Sequence, residues 1–76
     1  MTRYFFDVKC DGAIEHDNKG RHLPSFDEAQ QMAELIAMDL GFTPADGPFD
    51  MEVQIRNAAG ALLASVPVKL AEALVA

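Results

Sequence analysis

The sequence predicts a small α+β domain, a two-layer ββαββ sandwich with one helix packed on one face of an antiparallel four-stranded sheet. Three observations predict it. Apolar residues alternate with polar ones near the start of the chain and again after residue 50. Between these stretches lies a capped run with helical apolar spacing. The whole chain has 76 residues, enough for one domain over 1–76 and no more.

Tyr4 to Lys9 is the first strand. Tyr4, Phe6 and Val8 share one face, and Arg3, Phe5, Asp7 and Lys9 share the other, in a segment rich in aromatic residues. Cys10-Asp11-Gly12 and Asp17-Asn18-Lys19-Gly20 are turn signals. The short extended pieces Ala13–Glu15 and Arg21–Leu23 make a poor second strand, which Pro24 ends.

The helix is predicted from Phe26 to Leu40. Ser25 is its N-cap, and Glu28 completes a capping box by reaching back to the cap amide. Asp27 and Glu28 suit the positive end of the helix dipole. Phe26, Ala29, Ala33, Ile36, Ala37 and Leu40 form the inward stripe, and Gly41 terminates the helix. A proline-containing loop follows, with Phe42 and Phe49 expected to pin its ends to the core.

Met51 to Asn57 alternates again, with Met51, Val53 and Ile55 inward. Asn57-Ala58-Ala59-Gly60 is a turn, and Ala61 to Val68 returns with Leu62, Ala64, Val66 and Val68 inward. Pro24 and Pro67 suit sheet edges, which gives the strand order 2-1-3-4. The apolar tail from Lys69 to Ala76 is helix-prone and too short to be a stable helix alone, so it must dock or fray.

Composition narrows the function. Six Lys and Arg face twelve Asp and Glu, a net charge of −6. The basic residues stand singly among acids, which argues against nucleic acid and against anionic membranes. The single cysteine, Cys10, fits a reducing compartment, and no stretch approaches the ~18 apolar residues of a membrane span. A cytoplasmic location is expected.

No chemical motif stands out. Cys10, Asp11, His16, Asp17 and His22 cluster in sequence, but their spacing fits neither a zinc site nor a calcium loop. They read as a solvated polar turn region, with no metal and no cofactor. Cys10 with either histidine would need contact, an orienting group and an oxyanion pocket to act as a nucleophile. No glycine-rich phosphate loop or nucleophile elbow occurs. What remains is spare apolar surface. Phe5 and Leu63 fall on the outer sheet face, Leu35 and Met38 on the helix flank, and Leu70 and Leu74 on one side of the tail. These six residues form the candidate interface, for a protein partner or for a second copy in a homodimer.

Arg3-Tyr4-Phe5-Phe6, Asp17-Asn18-Lys19-Gly20, Leu23-Pro24, the helix opening Asp27-Glu28-Ala29 and the final Val66-Pro67 together resemble a family of short proteins of unknown function. That family is abundant in rhizobial and related alphaproteobacteria. The resemblance spans Arg3 to Pro67 and implies the same α+β fold and no activity. A looser likeness, of topology alone, is to antitoxin-type domains, although no DNA-binding segment is visible. The functional expectation is a protein–protein interaction or regulatory module without catalytic activity. The alternative is a small ligand- or metal-binding protein, or an enzyme, with its site shared between subunits.

Overall fold

The computed structural model describes residues 1–41 and 50–69. The chain is α+β, with one helix against an antiparallel sheet. The elements are β1 (Thr2–Cys10), β2 (Ala13–Glu15), β3 (Arg21–Leu23), α1 (Phe26–Leu40), β4 (Met51–Asn57) and β5 (Leu62–Pro67). The order across the sheet is β2-β1-β4-β5, and β3 also pairs with β1.

Among the described residues, the expected four strands are therefore five. Both short pieces of the predicted second strand form, at opposite ends of β1. Val8 to Cys10 pairs with β2, and Thr2 to Tyr4 pairs with β3. Between them, Phe5, Phe6 and Asp7 span three positions, while the facing connection His16–Gly20 needs five residues. The chain leaves the ladder because the residue counts do not match. The neighbour relations otherwise follow the predicted 2-1-3-4 order, with the second strand divided in two.

The core lies between α1 and the central strands. Tyr4, Phe6, Val53 and Ile55 from the sheet are buried with Ala29, Ala33 and Ala37 from the helix. The three alanines recur every four residues and so stack on one face. Their small size lets the helix settle close over Val53 and Ile55, both fully buried. Leu23, Met32, Ile36, Leu40, Ala64, Val66 and Val68 pack around this centre. Phe26 sits at the rim, its ring 6.4 Å from that of Tyr4.

Three local expectations need correction. Ser25 caps the helix, its Oγ accepting from the Glu28 amide at 3.3 Å, but no return bond from the Ser25 amide to the Glu28 carboxylate forms. Half of the capping box is present. Gly41 ends the helix with φ −64°, not in a left-handed conformation. A side chain there would run into the Lys69 carbonyl, so close approach is what requires glycine. Leu62 does not point inward. Ile55 pairs with Ala64 while Arg56 pairs with Leu62, so Leu63 is an extra residue and the strand bulges. The bulge turns Leu62 to the outer face beside Arg56, where it is 58% exposed.

The outer edge of β5 is guarded. The Val68 amide donates to the Met51 carbonyl at 2.9 Å. In an antiparallel ladder such inward-bonded residues alternate with outward ones, so the ring nitrogen of Pro67 falls on the free edge. Phe42, Phe49, Leu70 and Leu74, with the tail and the proline loop, lie outside the described residues. Ser25→Ala should destabilise the domain by about 1 kcal/mol. Urea melts would measure this, and an unchanged midpoint would show that the cap is not what starts the helix.

Candidate functional site

The densest polar cluster lies on the sheet face opposite the helix, where sequence reading expects a solvated turn region. Asp7, on the outward side of β1, is only 2% exposed. The Arg56 Nε donates to its Oδ2 at 2.8 Å, and the Arg56 Nη2 donates to its Oδ1 at 3.2 Å, a two-pronged pair. The Asp17 amide donates to Oδ1 at 2.9 Å, and His16 Nδ1 lies 3.6 Å from Oδ2. Arg56 Nη2 also reaches the Asp17 carbonyl at 3.3 Å.

Asp17 completes the exchange. Its Oδ2 accepts from the Phe6 amide at 3.2 Å, and its Oδ1 accepts from the Lys19 and Gly20 amides at 2.9 and 3.1 Å. The last two bonds are the local turn that aspartate favours. The first supplies the bond that the edge of β1 lacks between β2 and β3. Arg3 holds the far side of the loop through the Lys19 carbonyl. The guanidinium carbons of Arg56 and Arg3 lie 4.6 and 5.0 Å from the centre of the Phe5 ring. Gly20, at φ +70°, fits against the same ring, and an added Cβ would stand 2.9 Å from the Tyr4 carbonyl. Phe5 is therefore half-buried under two arginines and a loop, and not the open apolar contact expected of it.

The electrostatics follow from this packing. Burial pushes the Asp7 carboxyl up, but the Arg56 hydrogen bonds, the Asp17 amide and the positive charge of Arg56 outweigh it, leaving the group below its ordinary value. Burial likewise pushes Asp17 up, and the Gly20, Lys19 and Phe6 amides bring it below the usual carboxylate range. Arg56 is pushed further up, chiefly by its hydrogen bonds to Asp7. Both carboxylates accept hydrogen bonds, and Nε and Nη2 of Arg56 are used. Its chemistry is that of a clasp.

The other candidate residues do not converge. Cys10 shares the helix-covered face of β1 with Tyr4, Phe6 and Val8, whereas His22 pairs opposite Arg3 on the open face. They also stand at opposite ends of β1, about 23 Å apart at the rise of a strand. His16 lies beside Asp7, again on the open face. Neither histidine can serve the thiol. Among the described residues, no three His, Cys, Asp or Glu side chains group as metal ligands.

An open concavity of about 510 Å³ lies at the other end of the sheet, lined by Lys9, Asp11, Asp50, Glu52, Pro67 and Val68 among others. Some of its polar groups already engage one another. Lys9 lies 3.9 Å from Glu52, and Asp11 Oδ1 accepts from the Asp50 amide at 2.9 Å. Of the candidate interface, Leu35, Met38 and Leu63 are 59%, 62% and 41% exposed. Leu70 and Leu74 lie outside the described residues. No described helix is long and apolar enough to cross a membrane.

Sequence reasoning missed the Asp7–Asp17–Arg56 clasp. One signal was available: a single acid inside an aromatic strand, facing a strand that carries a single arginine. A family model, Domain of unknown function (DUF6894), matches residues 3–69, from the arginine that holds the loop to the end of the described chain. No curated protein and no solved structure matches the chain.

The clasp sets the acid response. Both carboxyls are depressed in the folded state, so their stabilisation is full above the unfolded value of about 3.9 and is lost as pH falls through the folded values. Thermal melts should be level down to about pH 5 and fall steeply below about pH 4. Asp7→Asn should cost about 1.5–3 kcal/mol at neutral pH and flatten that acid limb. Equal stability of the variant and the parent at pH 7 would refute the role given to Asp7. Gly20→Ala should destabilise well beyond Gly12→Ala, because no atom lies within 4 Å of a Cβ at Gly12 while Tyr4 and Phe5 block one at Gly20. Matched urea melts would compare the two, and equal losses would show that only the backbone angle matters.

Proposed function

The chain belongs to the family described as Domain of unknown function (DUF6894), and from that premise we propose that it is a cytoplasmic protein–protein interaction module without catalytic activity. One observation carries this reading. The side chains of the densest polar cluster, Asp7, Asp17 and Arg56, are engaged in holding the fold, while large apolar side chains stand exposed on the outer side of α1. Leu35 and Met38 are each more than half exposed, three residues apart on one face. Exposed apolar groups set together are what a binding surface leaves uncovered in the free protein.

The absence of any pairing between Cys10 and a histidine supports the non-catalytic side of the proposal. So does the use of Asp7, Asp17 and Arg56 in holding the loop and strands together. Net charge disfavours nucleic acid as the partner.

The intact chain, immobilised as bait in lysate of its source cell under native conditions, should retain a protein partner identifiable by mass spectrometry. A Leu35→Gln/Met38→Gln variant should lose it while melting within about 0.5 kcal/mol of the parent, as surface changes do. Retention that is identical in the variant would remove the helix flank from the binding surface.

A further inference from the structure

The charges of this protein are segregated between its two layers. Helix α1 carries Asp27, Glu28, Glu34 and Asp39 and no Lys, Arg or His. Its last turn has no basic residue of its own. All six basic residues lie outside the helix. Among the described residues, none of the four helix acids makes a salt bridge, whereas Asp7 is paired with Arg56 and Glu52 with Lys9.

The placement of these acids is ordered. Successive helical residues are turned by about 100°. The buried stripe of Ala29, Ala33 and Ala37, flanked by Ile36 and Leu40, fixes the inward direction. Diametrically opposite it stand Gln31, Leu35 and Met38. On one side of this outer stripe lie Asp27 and Glu34, and on the other lie Glu28 and Asp39. The helix thus shows solvent a ridge of one amide and two apolar side chains with an acidic rim along both flanks.

We propose that this outer ridge of α1 docks a basic amphipathic segment of a partner protein. The proposal rests on the interaction-module reading and names the partner's chemistry. Leu35 and Met38 would bury against the apolar stripe of the incoming segment, the thioether of Met38 adapting its shape to it. Lysines or arginines flanking that stripe would meet the two acidic rims. A second copy of this chain does not fit the ridge helix to helix, because four acids would then face four acids across the same apolar seam. Nucleic acid and anionic lipid are repelled by the same rims.

The test uses the full chain and two synthetic helical peptides of about 18 residues, one of leucine and lysine and one of leucine and glutamate, each with its leucines on one face. Amide chemical shifts followed by NMR should move at Gln31, Glu34, Leu35 and Met38 on adding the lysine peptide. Its affinity should fall at least about tenfold between roughly 50 and 500 mM salt, as exposed ion pairs are screened. Leu35→Gln/Met38→Gln should abolish the shifts, Glu34→Gln should weaken binding and lessen its salt dependence, and Asp11→Asn, away from the helix, should change neither.

Equal binding of the glutamate peptide, or shifts confined to the sheet, would overturn the proposal. So would self-association in sedimentation runs that disappears with Leu35→Gln/Met38→Gln, since a second copy would then be the occupant. If the lysine peptide fails while a lysate protein still depends on Leu35 and Met38, the basic partner is wrong and the interaction-module reading survives. If neither binds, both are wrong.

Discussion

Asp7 is a charged residue placed where a strand would ordinarily carry a small or polar one, and its carboxylate is shut from water on the open side of the sheet. Such a group is costly unless it is paired and hydrogen-bonded. Here it receives two bonds from Arg56, 49 residues later, and one from the Asp17 amide, 10 residues later. One acceptor therefore ties β1 to β4 and to the connection between β2 and β3. Two strands of only three residues each could not hold a sheet edge by their own ladders. They hold because the loop between them is fastened at its middle. Arg3, Phe5 and Gly20 finish the fastening from the other end of the loop, so that most polar groups on that face serve the fold.

The two layers consequently have different electrostatic characters. In the sheet layer, Asp7 and Glu52 have cations beside them. On the helix, the acids have none among the described residues, and the helix depends on its alanine stripe and its Ser25 cap for its place. Local cost is small because exposed acids remain hydrated, and the field of four of them extends about a Debye length, ~8 Å at physiological salt. A surface that is acidic in this way selects its encounters before any contact is made.

The parts of the fold that were legible in the sequence are those set by local rules. The helix bounds follow from Ser25 and the spacing of Ala29, Ala33 and Ala37, and the central strands follow from their alternation. Even the two fragments Ala13–Glu15 and Arg21–Leu23 are visible as extended pieces, although nothing local says that both pair with β1. The clasp was not legible because its members are brought together by register. Period two places Asp7 and Arg56 on the outer face, but only the pairing of Phe5 with Arg56 sets the arginine diagonally beside the acid. The turn Asp17-Asn18-Lys19-Gly20 reads as solvated because the bond from the Phe6 amide is invisible in it. Leu62 was misplaced for a related reason, since one extra residue in a strand reverses which face its neighbours take. The outer ridge of α1, by contrast, was half legible: Leu35 and Met38 stood out, and their acidic borders did not.

The arrangement of β1 has a further consequence for the behaviour of the protein in bulk. β1 spans nine residues and includes three aromatic side chains, and among the described residues one of its edges is covered only by two fragments and a carboxylate. β5, on the far side, is protected by its bulge and by Pro67. The two edges of the sheet thus differ in how their protection fails. That of β5 rests on a proline ring and a register that acid does not titrate, while that of β1 is held by charge. Once the clasp is protonated, β2 and β3 can lift away before the core melts, leaving a long aromatic strand whose open amides and carbonyls are a template for any neighbour of the same kind. Acidified solutions of this protein would then lose material as concentration-dependent, sheet-rich aggregates, and its shelf life at low pH would be limited by assembly ahead of unfolding.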